Sequence, residues 1–213
     1  PLFLLIDQKR PVLMVFSGGK YQYAIVLPKS NHEANNVFIV SCINSFILFA
    51  FLIIIALVSK IIGLDIDFGI ESYLFLIPIY VLIYGIWEAL ALFSIRQEKF
   101  KKNALAKVIQ SLFFSIISIG IAYLAYSSTG LIIGRTLGLL ISMLFLALVT
   151  GYILKNISFH ELKKTSLKYV EYPKFGILPA LLNTFSSQAI VFALQLYYTE
   201  KILGYFGFTA LVL

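Results

Sequence analysis

The stretch VFIVSCINSFILFAFLIIIALVS, residues 37–59, decides how this chain folds, because it contains no charged residue. A helix needs about 20 consecutive apolar residues to cross a hydrocarbon core of about 30 Å, and this stretch is long enough. Within lipid the backbone must satisfy its own hydrogen bonds, which an α-helix does inside one segment. Residues 37–59 therefore predict a transmembrane helix.

The composition of the whole chain agrees with this prediction. Hydrophobic residues make up 60% of the sequence and charged residues 13%, and the mean hydropathy is +0.93. A water-soluble domain needs more charge on its surface than this. A transmembrane β-barrel needs short alternating segments, whereas the apolar runs here are continuous. The sequence therefore predicts an all-α, polytopic membrane helix bundle.

The remaining spans lie on both sides of residues 37–59. Further apolar runs occupy 11–28, 73–95, 104–126, 131–154 and 175–198, and a seventh begins near Ile202. The first run is weak, because Gly18, Gly19 and Lys20 interrupt it. The chain opens on Pro1 and stops inside an apolar stretch, so we expect it to be a piece of a longer protein.

The charge of the loops predicts how the bundle is oriented. The connections 96–103 and 155–174 are rich in lysine and arginine, whereas 63–72 is acidic and 127–130 is uncharged. Basic loops remain on the cytoplasmic side of a membrane protein. We therefore expect a multi-pass protein of the cytoplasmic membrane with both basic connections inside. This topology accounts for the net charge of +7 without nucleic acid as a partner.

The sequence contains no arrangement of residues typical of an enzyme. The acids are scattered, and His32 and His160 lack the spacing of metal ligands. The stretch GLIIGRTLG is not a phosphate-binding loop, because no Gly-Lys-Ser/Thr follows. Its Gly134 and Gly138 form a GxxxG pair, which is typical of a close-packing helix face. We expect a protein without catalytic activity, cofactor or metal.

Polar residues inside the spans are the candidates for function, because each is costly to insert into lipid. Glu88 lies about two turns inside one end of its span, and Arg135 lies somewhat less deep in another. Arg135 could instead reach the outer headgroups, and Glu88 could simply pair with another helix. The amides Asn183 and Gln188 lie in the sixth span, where neutral amides often hydrogen-bond to neighbouring helices.

Three stretches resemble the Wzx-like oligosaccharide flippase family, in the superfamily that also contains multidrug exporters of the MATE type. They are GKYQYAIVLPKSNHEANNVF at 19–38, RQEKFKKNALAKVIQSL at 96–112 and YPKFGILPALLNTFSSQ at 172–188. Each motif is weak alone, and their order and spacing carry the resemblance. The resemblance covers about residues 19–213. The leader, residues 1–16, departs from the family pattern.

The resemblance implies a MATE-like transporter of two lobes. Residues 1–172 would form the N-terminal transmembrane lobe, and residues 173–213 would begin the C-terminal one. The implied substrate is a polyprenyl-pyrophosphate-linked oligosaccharide, flipped across the cytoplasmic membrane for the biosynthesis of surface polysaccharide such as lipopolysaccharide. A glycan polymerase or assembly complex is a possible partner beside the lipid bilayer.

The resemblance also suggests roles for the polar residues within the spans. Arg135 and Lys20 would meet the pyrophosphate, because cations in a wet cavity can replace its hydration. Asn183 and Gln188 would contact the substrate, and Glu88 would bind the coupling ion or proton.

Two other functions stay open at this point. One is a multidrug or ion antiporter of the same superfamily, although a basic cavity argues mildly against cationic drugs. The other is a membrane-embedded glycan polymerase or glycosyltransferase, which would need clustered carboxylates or a large external loop.

Overall fold

A computed structural model of the protein describes residues 11–62, 76–125, 129–151 and 158–199, with the isolated positions 202, 205, 206 and 209. All regular secondary structure in these ranges is helical. A turn of helix at 11–16 leads into a 3-10 segment, Ser17–Val26. The helices after it are α1 (Asn31–Ile62), α2 (Leu76–Arg96), α3 (Phe100–Ala125), α4 (Thr129–Thr150), α5 (Phe159–Lys168) and α6 (Glu171–Tyr197). The predicted all-α fold is confirmed.

Four of the described helices are long and apolar enough to cross a membrane. Their apolar parts are 30, 21, 25 and 21 residues long in α1 to α4, and each exceeds the length that a hydrocarbon core requires. Large apolar side chains are exposed on α1 and α3, among them Phe51, Ile54, Ile116 and Ile119. A water-soluble monomer rarely exposes so much apolar surface. The chain is therefore a multi-pass membrane protein.

The predicted spans agree with the helices except at the first. The spans at 37–59, 73–95, 104–126 and 131–154 coincide with α1 to α4, within about six residues at their ends. The run at 175–198 coincides with the helix α6, and its crossing of the membrane stays a prediction. The predicted first span, 11–28, is broken by the 3-10 segment and does not form one continuous helix. The predicted seventh span, and Lys9 and Arg10 of the leader, lie outside the continuously described residues.

The start of α1 is determined by a short polar sequence that precedes the predicted span. Ser30 accepts a hydrogen bond on its hydroxyl from the backbone N–H of Glu33, at 3.1 Å. A serine that accepts from an N–H three residues later caps the free donors of a helix N-terminus. The helix therefore begins at Asn31, before the apolar run itself begins.

The closest helix pair is α3 with α4, and glycines make it close. A Cβ added at Gly138 would lie 2.8 Å from the Gln110 carbonyl oxygen and 2.9 Å from the Phe114 nitrogen. Gly130 and Gly134 approach the backbone of α3 in the same way. The predicted close-packing face of the GxxxG pair is confirmed, and its partner is α3.

A polar link joins three helices within the bundle. The Trp87 indole nitrogen donates to the Ser142 hydroxyl at 2.9 Å, and this hydroxyl donates to the Ala106 carbonyl oxygen at 2.7 Å. Trp87, Ser142 and Ala106 belong to α2, α4 and α3. The link is possible because Ser142 lies on the same small-residue face of α4 as Gly134 and Gly138.

Both basic connections lie at the same end of the bundle. Lys99 donates to the Val149 carbonyl oxygen at 2.9 Å and Gln97 to that of Thr150 at 3.2 Å, so the turn after α2 caps the end of α4. Arg96 donates to the Pro28 carbonyl oxygen and, at 3.3 Å, to Asn31. This shared end agrees with the predicted alternation of the loops, and the side of the membrane that it faces stays a prediction.

The connections themselves are shorter or more regular than predicted. The basic connection predicted at 96–103 is only a turn, because α3 already begins at Phe100. The described part of the connection 155–174 contains α5 and the first turn of α6. The predicted lobe boundary between Tyr172 and Pro173 lies inside that first turn, and the division into two lobes stays a prediction.

Candidate functional site

The candidate site begins with an unusual backbone in the 3-10 segment. Gly18, Gly19 and Lys20 have φ angles of 65°, 59° and 62°. Glycine adopts this left-handed region freely, whereas a lysine rarely does. The Gly18 N–H donates to the Ser45 hydroxyl of α1 at 3.1 Å. A Cβ on Gly18 would lie only 2.7 Å from the Ser41 hydroxyl oxygen. The two glycines therefore let the chain kink while it lies directly against α1.

Just after the kink, two side chains reach Glu88 of α2. Gln22 donates its amide N–H to Glu88 Oε2 at 3.0 Å, and the Tyr23 hydroxyl donates to Glu88 Oε1 at 2.9 Å. Gln22 is completely buried and also donates to the Ser17 carbonyl oxygen at 3.2 Å. Both carboxylate oxygens of Glu88 are thus held by neutral donors, which is what a carboxylate inside a span requires.

Lys20 is a cation that lies in the same site as this carboxylate. Its side chain is 8% exposed, and its ammonium nitrogen lies 5.4 Å from the centre of the Tyr23 ring. The ammonium and the Glu88 carboxylate attract each other electrostatically. The sequence suggested Lys20 and Glu88 for two separate roles, and the structure places them in one site.

The same lysine also reaches the start of α6. A Cβ added at Gly176 would lie 3.5 Å from both Cβ and Cγ of Lys20, which is ordinary van der Waals contact. The stem of Lys20 therefore lies against α6, and its charged end lies over the ring of Tyr23, which binds Glu88 of α2. A change in the charge of Glu88 would act on a residue that touches another helix.

Two buried oxygens in this site have no hydrogen-bond partner. They are the amide oxygen of Gln22 and the hydroxyl oxygen of Ser41, and both approach Gly18. A buried acceptor without a partner is costly, so these oxygens are available to a water molecule or to a proton donor. No group of three or more His, Cys, Asp or Glu residues that could hold a metal ion occurs in the described ranges.

Arg135 lies in the second turn of α4 and is partly buried. Its neighbours Gly134 and Gly138 pack against α3. Because successive residues of a helix are offset by about 100°, the side chain of Arg135 leaves the helix beside that contact. Its role toward a pyrophosphate stays a prediction.

The two predicted amides of α6 lie on different faces of the helix. Asn183 is exposed and follows Gly176 by seven residues, so it lies on the side of α6 that touches Lys20. Gln188 is partly buried and is rotated by roughly 140° from Asn183. Asn183 and Lys20 thus lie along one side of α6, and Gln188 does not share it. Substrate contact by either amide stays a prediction.

Sequence reasoning missed Gln22 and Tyr23 as partners of Glu88. Both lie in the weak first span, 66 and 65 residues before Glu88. The available signal was that Gly18 and Gly19 interrupt the first apolar run. This predicts a break in the helix, but it does not predict which side chains then face α2. An acid inside a span does require donors, so the existence of partners was foreseeable although their identity was not.

Comparison with known proteins identifies the family of the chain. A family model described as polysaccharide biosynthesis protein matches residues 16–210. No curated protein and no solved structure matches the chain. The matched range includes the 3-10 segment, Glu88 and the start of α6, and agrees with the resemblance of the sequence motifs. The chain therefore belongs to the polysaccharide biosynthesis protein family.

Proposed function

We propose that this protein is a flippase that carries a polyprenyl-pyrophosphate-linked oligosaccharide across the cytoplasmic membrane. Its family assigns it to polysaccharide biosynthesis, and its helices place it in a membrane. Movement of the lipid-linked glycan is a step of such biosynthesis that a membrane protein can carry out without forming or breaking a bond. In this proposal the protein breaks no bond, needs no cofactor, and hands its cargo to a polymerase or assembly complex.

The observation that carries the proposal is the position of Lys20, whose ammonium lies over the ring of the tyrosine that binds Glu88 and whose stem lies against α6. With Glu88 ionised, its negative charge attracts the Lys20 ammonium. When a proton or another cation neutralises Glu88, that attraction is lost. The ammonium of Lys20 can then interact with a strongly anionic pyrophosphate. Ion binding and cargo binding would thus be linked through one lysine side chain.

In this mechanism Gln22 and Tyr23 keep Glu88 in position, and Lys20 responds to its charge. Gln22 and Tyr23 are neutral donors to the carboxylate, so they orient it without cancelling its charge. Arg135, Asn183 and Gln188 would serve the cargo elsewhere along its path. Arg135 is suited to the pyrophosphate, because a guanidinium is permanently charged and forked.

The test is transport by a Glu88→Gln variant. Inverted membrane vesicles that contain the full-length protein are given a lipid-linked oligosaccharide and a defined ion gradient. The variant should insert normally, because a neutral side chain is cheaper in lipid. Its transport should no longer respond to the gradient. Lys20→Met should reduce transport with and without the gradient.

A matched control separates this role from a general effect of charge. Glu98 is an exposed acid in the turn between α2 and α3, and Glu98→Gln should transport as the wild type does. If Glu88→Gln keeps a normal gradient dependence, Glu88 has only a structural role. If vesicles with the wild-type protein move no glycan, either with or without the ion gradient, the flippase proposal itself is wrong.

A further inference from the structure

One side of the short helix α5 is packed against the rest of the protein. Lys168 and Tyr169 both donate to Glu33 Oε1 of α1, the tyrosine at 3.1 Å. Glu161 lies 3.5 Å from His32 of α1. Leu162 and Thr165 are buried on the same side. This inner side fixes α5 to the end of α1.

A second contact fixes the helix to the 3-10 segment. The Tyr21 hydroxyl lies 3.1 Å from both the hydroxyl and the carbonyl oxygen of Ser166. Since α5 is held by two elements, its rotation about its own axis is determined. The other side of the helix must therefore face away from these contacts.

The outer face carries large apolar side chains, which a face exposed only to water would not need. Its residues are Phe159, His160, Lys163, Lys164 and Leu167, which together cover an arc of roughly 140°. Phe159 is 83% exposed and Leu167 is 63% exposed, and both lysines are exposed as well. Two large apolar side chains beside two lysines form the pattern of a helix that lies in a membrane interface.

We infer that this outer face binds the anionic headgroups of the membrane that holds the protein. Lys163 and Lys164 would meet lipid phosphates, and Phe159 and Leu167 would enter the boundary with the acyl chains. Two observations favour lipid over another occupant. The charge of the face is complementary to anionic lipid, and α5 is docked on the first turn of α1, at the end of the bundle where the turn after α2 also lies and where headgroups are expected.

This binding surface is independent of the proposed transport function. Lys168 takes no part in it, because its ammonium is already bound to Glu33. The surface would instead anchor the segment between α4 and α6 to one leaflet. Each lysine near an anionic surface strengthens binding about fivefold, so the two lysines together would contribute about 25-fold.

The experiment places a spin label at Leu167→Cys in the full-length protein, in which Cys42 and any other native cysteine are replaced by serine. The protein is reconstituted in nanodiscs of zwitterionic lipid with an increasing fraction of phosphatidylglycerol. As anionic lipid increases, the label should become protected from a water-soluble nickel reagent and accessible to oxygen. Lys163→Gln with Lys164→Gln should weaken this transition about 25-fold.

The matched control is Lys101→Gln with Lys102→Gln, which removes two exposed cations from the first turn of α3. It should leave the transition of the label at Leu167 unchanged. An equal loss in both double variants would show a general effect of surface charge and would overturn the inference. A label that stays open to the nickel reagent in every lipid would overturn it too. Protection from both reagents would show that protein, not lipid, covers the face.

Discussion

Replacing Gly138 by alanine should separate α3 from α4, and the structure gives the size of the effect. The new Cβ would lie 2.8 Å from the Gln110 carbonyl oxygen and 2.9 Å from the Phe114 nitrogen. Both atoms belong to the backbone of α3, so no side-chain rotation can relieve the clash. The helices must move apart by roughly half an ångström, and a gap of that size removes about a quarter of the dispersion energy of each contact.

Gly120→Ala is the matched control, because a Cβ at Gly120 would meet nothing within 4 Å. Both substitutions gain the same helix propensity, up to about 1 kcal/mol. That gain cancels when the two variants are compared, which leaves the cost of overpacking, about 1–3 kcal/mol. Gly138→Ala should therefore have the lower free energy of unfolding by this amount.

The assay is unfolding in mixed micelles with increasing sodium dodecyl sulfate, followed by circular dichroism. Each variant is compared with the wild type at the same lipid-to-detergent ratio. If Gly138→Ala and Gly120→Ala change the free energy of unfolding equally, the close contact of α3 with α4 does not exist as described.

Three further predictions concern topology, cargo and pH. A cysteine probe at Asp67 should react from outside intact cells and one at Lys101 should not, and the reverse pattern would invert the orientation. Arg135→Ala should abolish glycan export at normal membrane levels while Arg135→Lys keeps part of it, so full export by the alanine variant would exclude a pyrophosphate contact. The Glu33 carboxylate, through its hydrogen bond, raises the pKa of Lys168. While Glu33 is ionised, the contribution of this contact to the docking of α5 should be fully present below about pH 10.4, the ordinary pKa of lysine, and should weaken as pH rises through the raised pKa. The mobility of a spin label on α5 measures this, and Lys168→Gln together with Tyr169→Phe should remove the pH dependence, because the Tyr169 hydroxyl also donates to Glu33.

The helices were predictable because the membrane simplifies the relation between sequence and structure. A continuous apolar run has to be helical in lipid, so residues 37–59 determine α1 without knowledge of any partner. The pair Gly134 and Gly138 likewise predicts a close contact, since glycine removes the Cβ that would keep two helices apart. Its partner was not predictable, because the sequence does not show which helix lies opposite.

The candidate site was less predictable because it depends on contacts between distant residues. Glu88 and Lys20 each stood out as charges in apolar surroundings. Their pairing depends on how Gly18 and Gly19 turn the chain, and backbone angles at two glycines are not determined by hydropathy. Gln22 and Tyr23 were not identified, because neutral residues beside a break have many possible roles. The left-handed conformation of Lys20 itself has no sequence signal.

The link from Trp87 through Ser142 to Ala106 has a practical consequence, because Trp87 is the single tryptophan of the chain. Its indole N–H is hydrogen-bonded between α2 and α4, and the Tyr84 ring centre lies 6.1 Å from that of the indole. With any tryptophan outside this chain replaced by phenylalanine, excitation at the red edge of the protein absorption would address this one residue. Its emission wavelength and quenching therefore report, without any added dye, whether the junction of α2, α3 and α4 changes while cargo is carried.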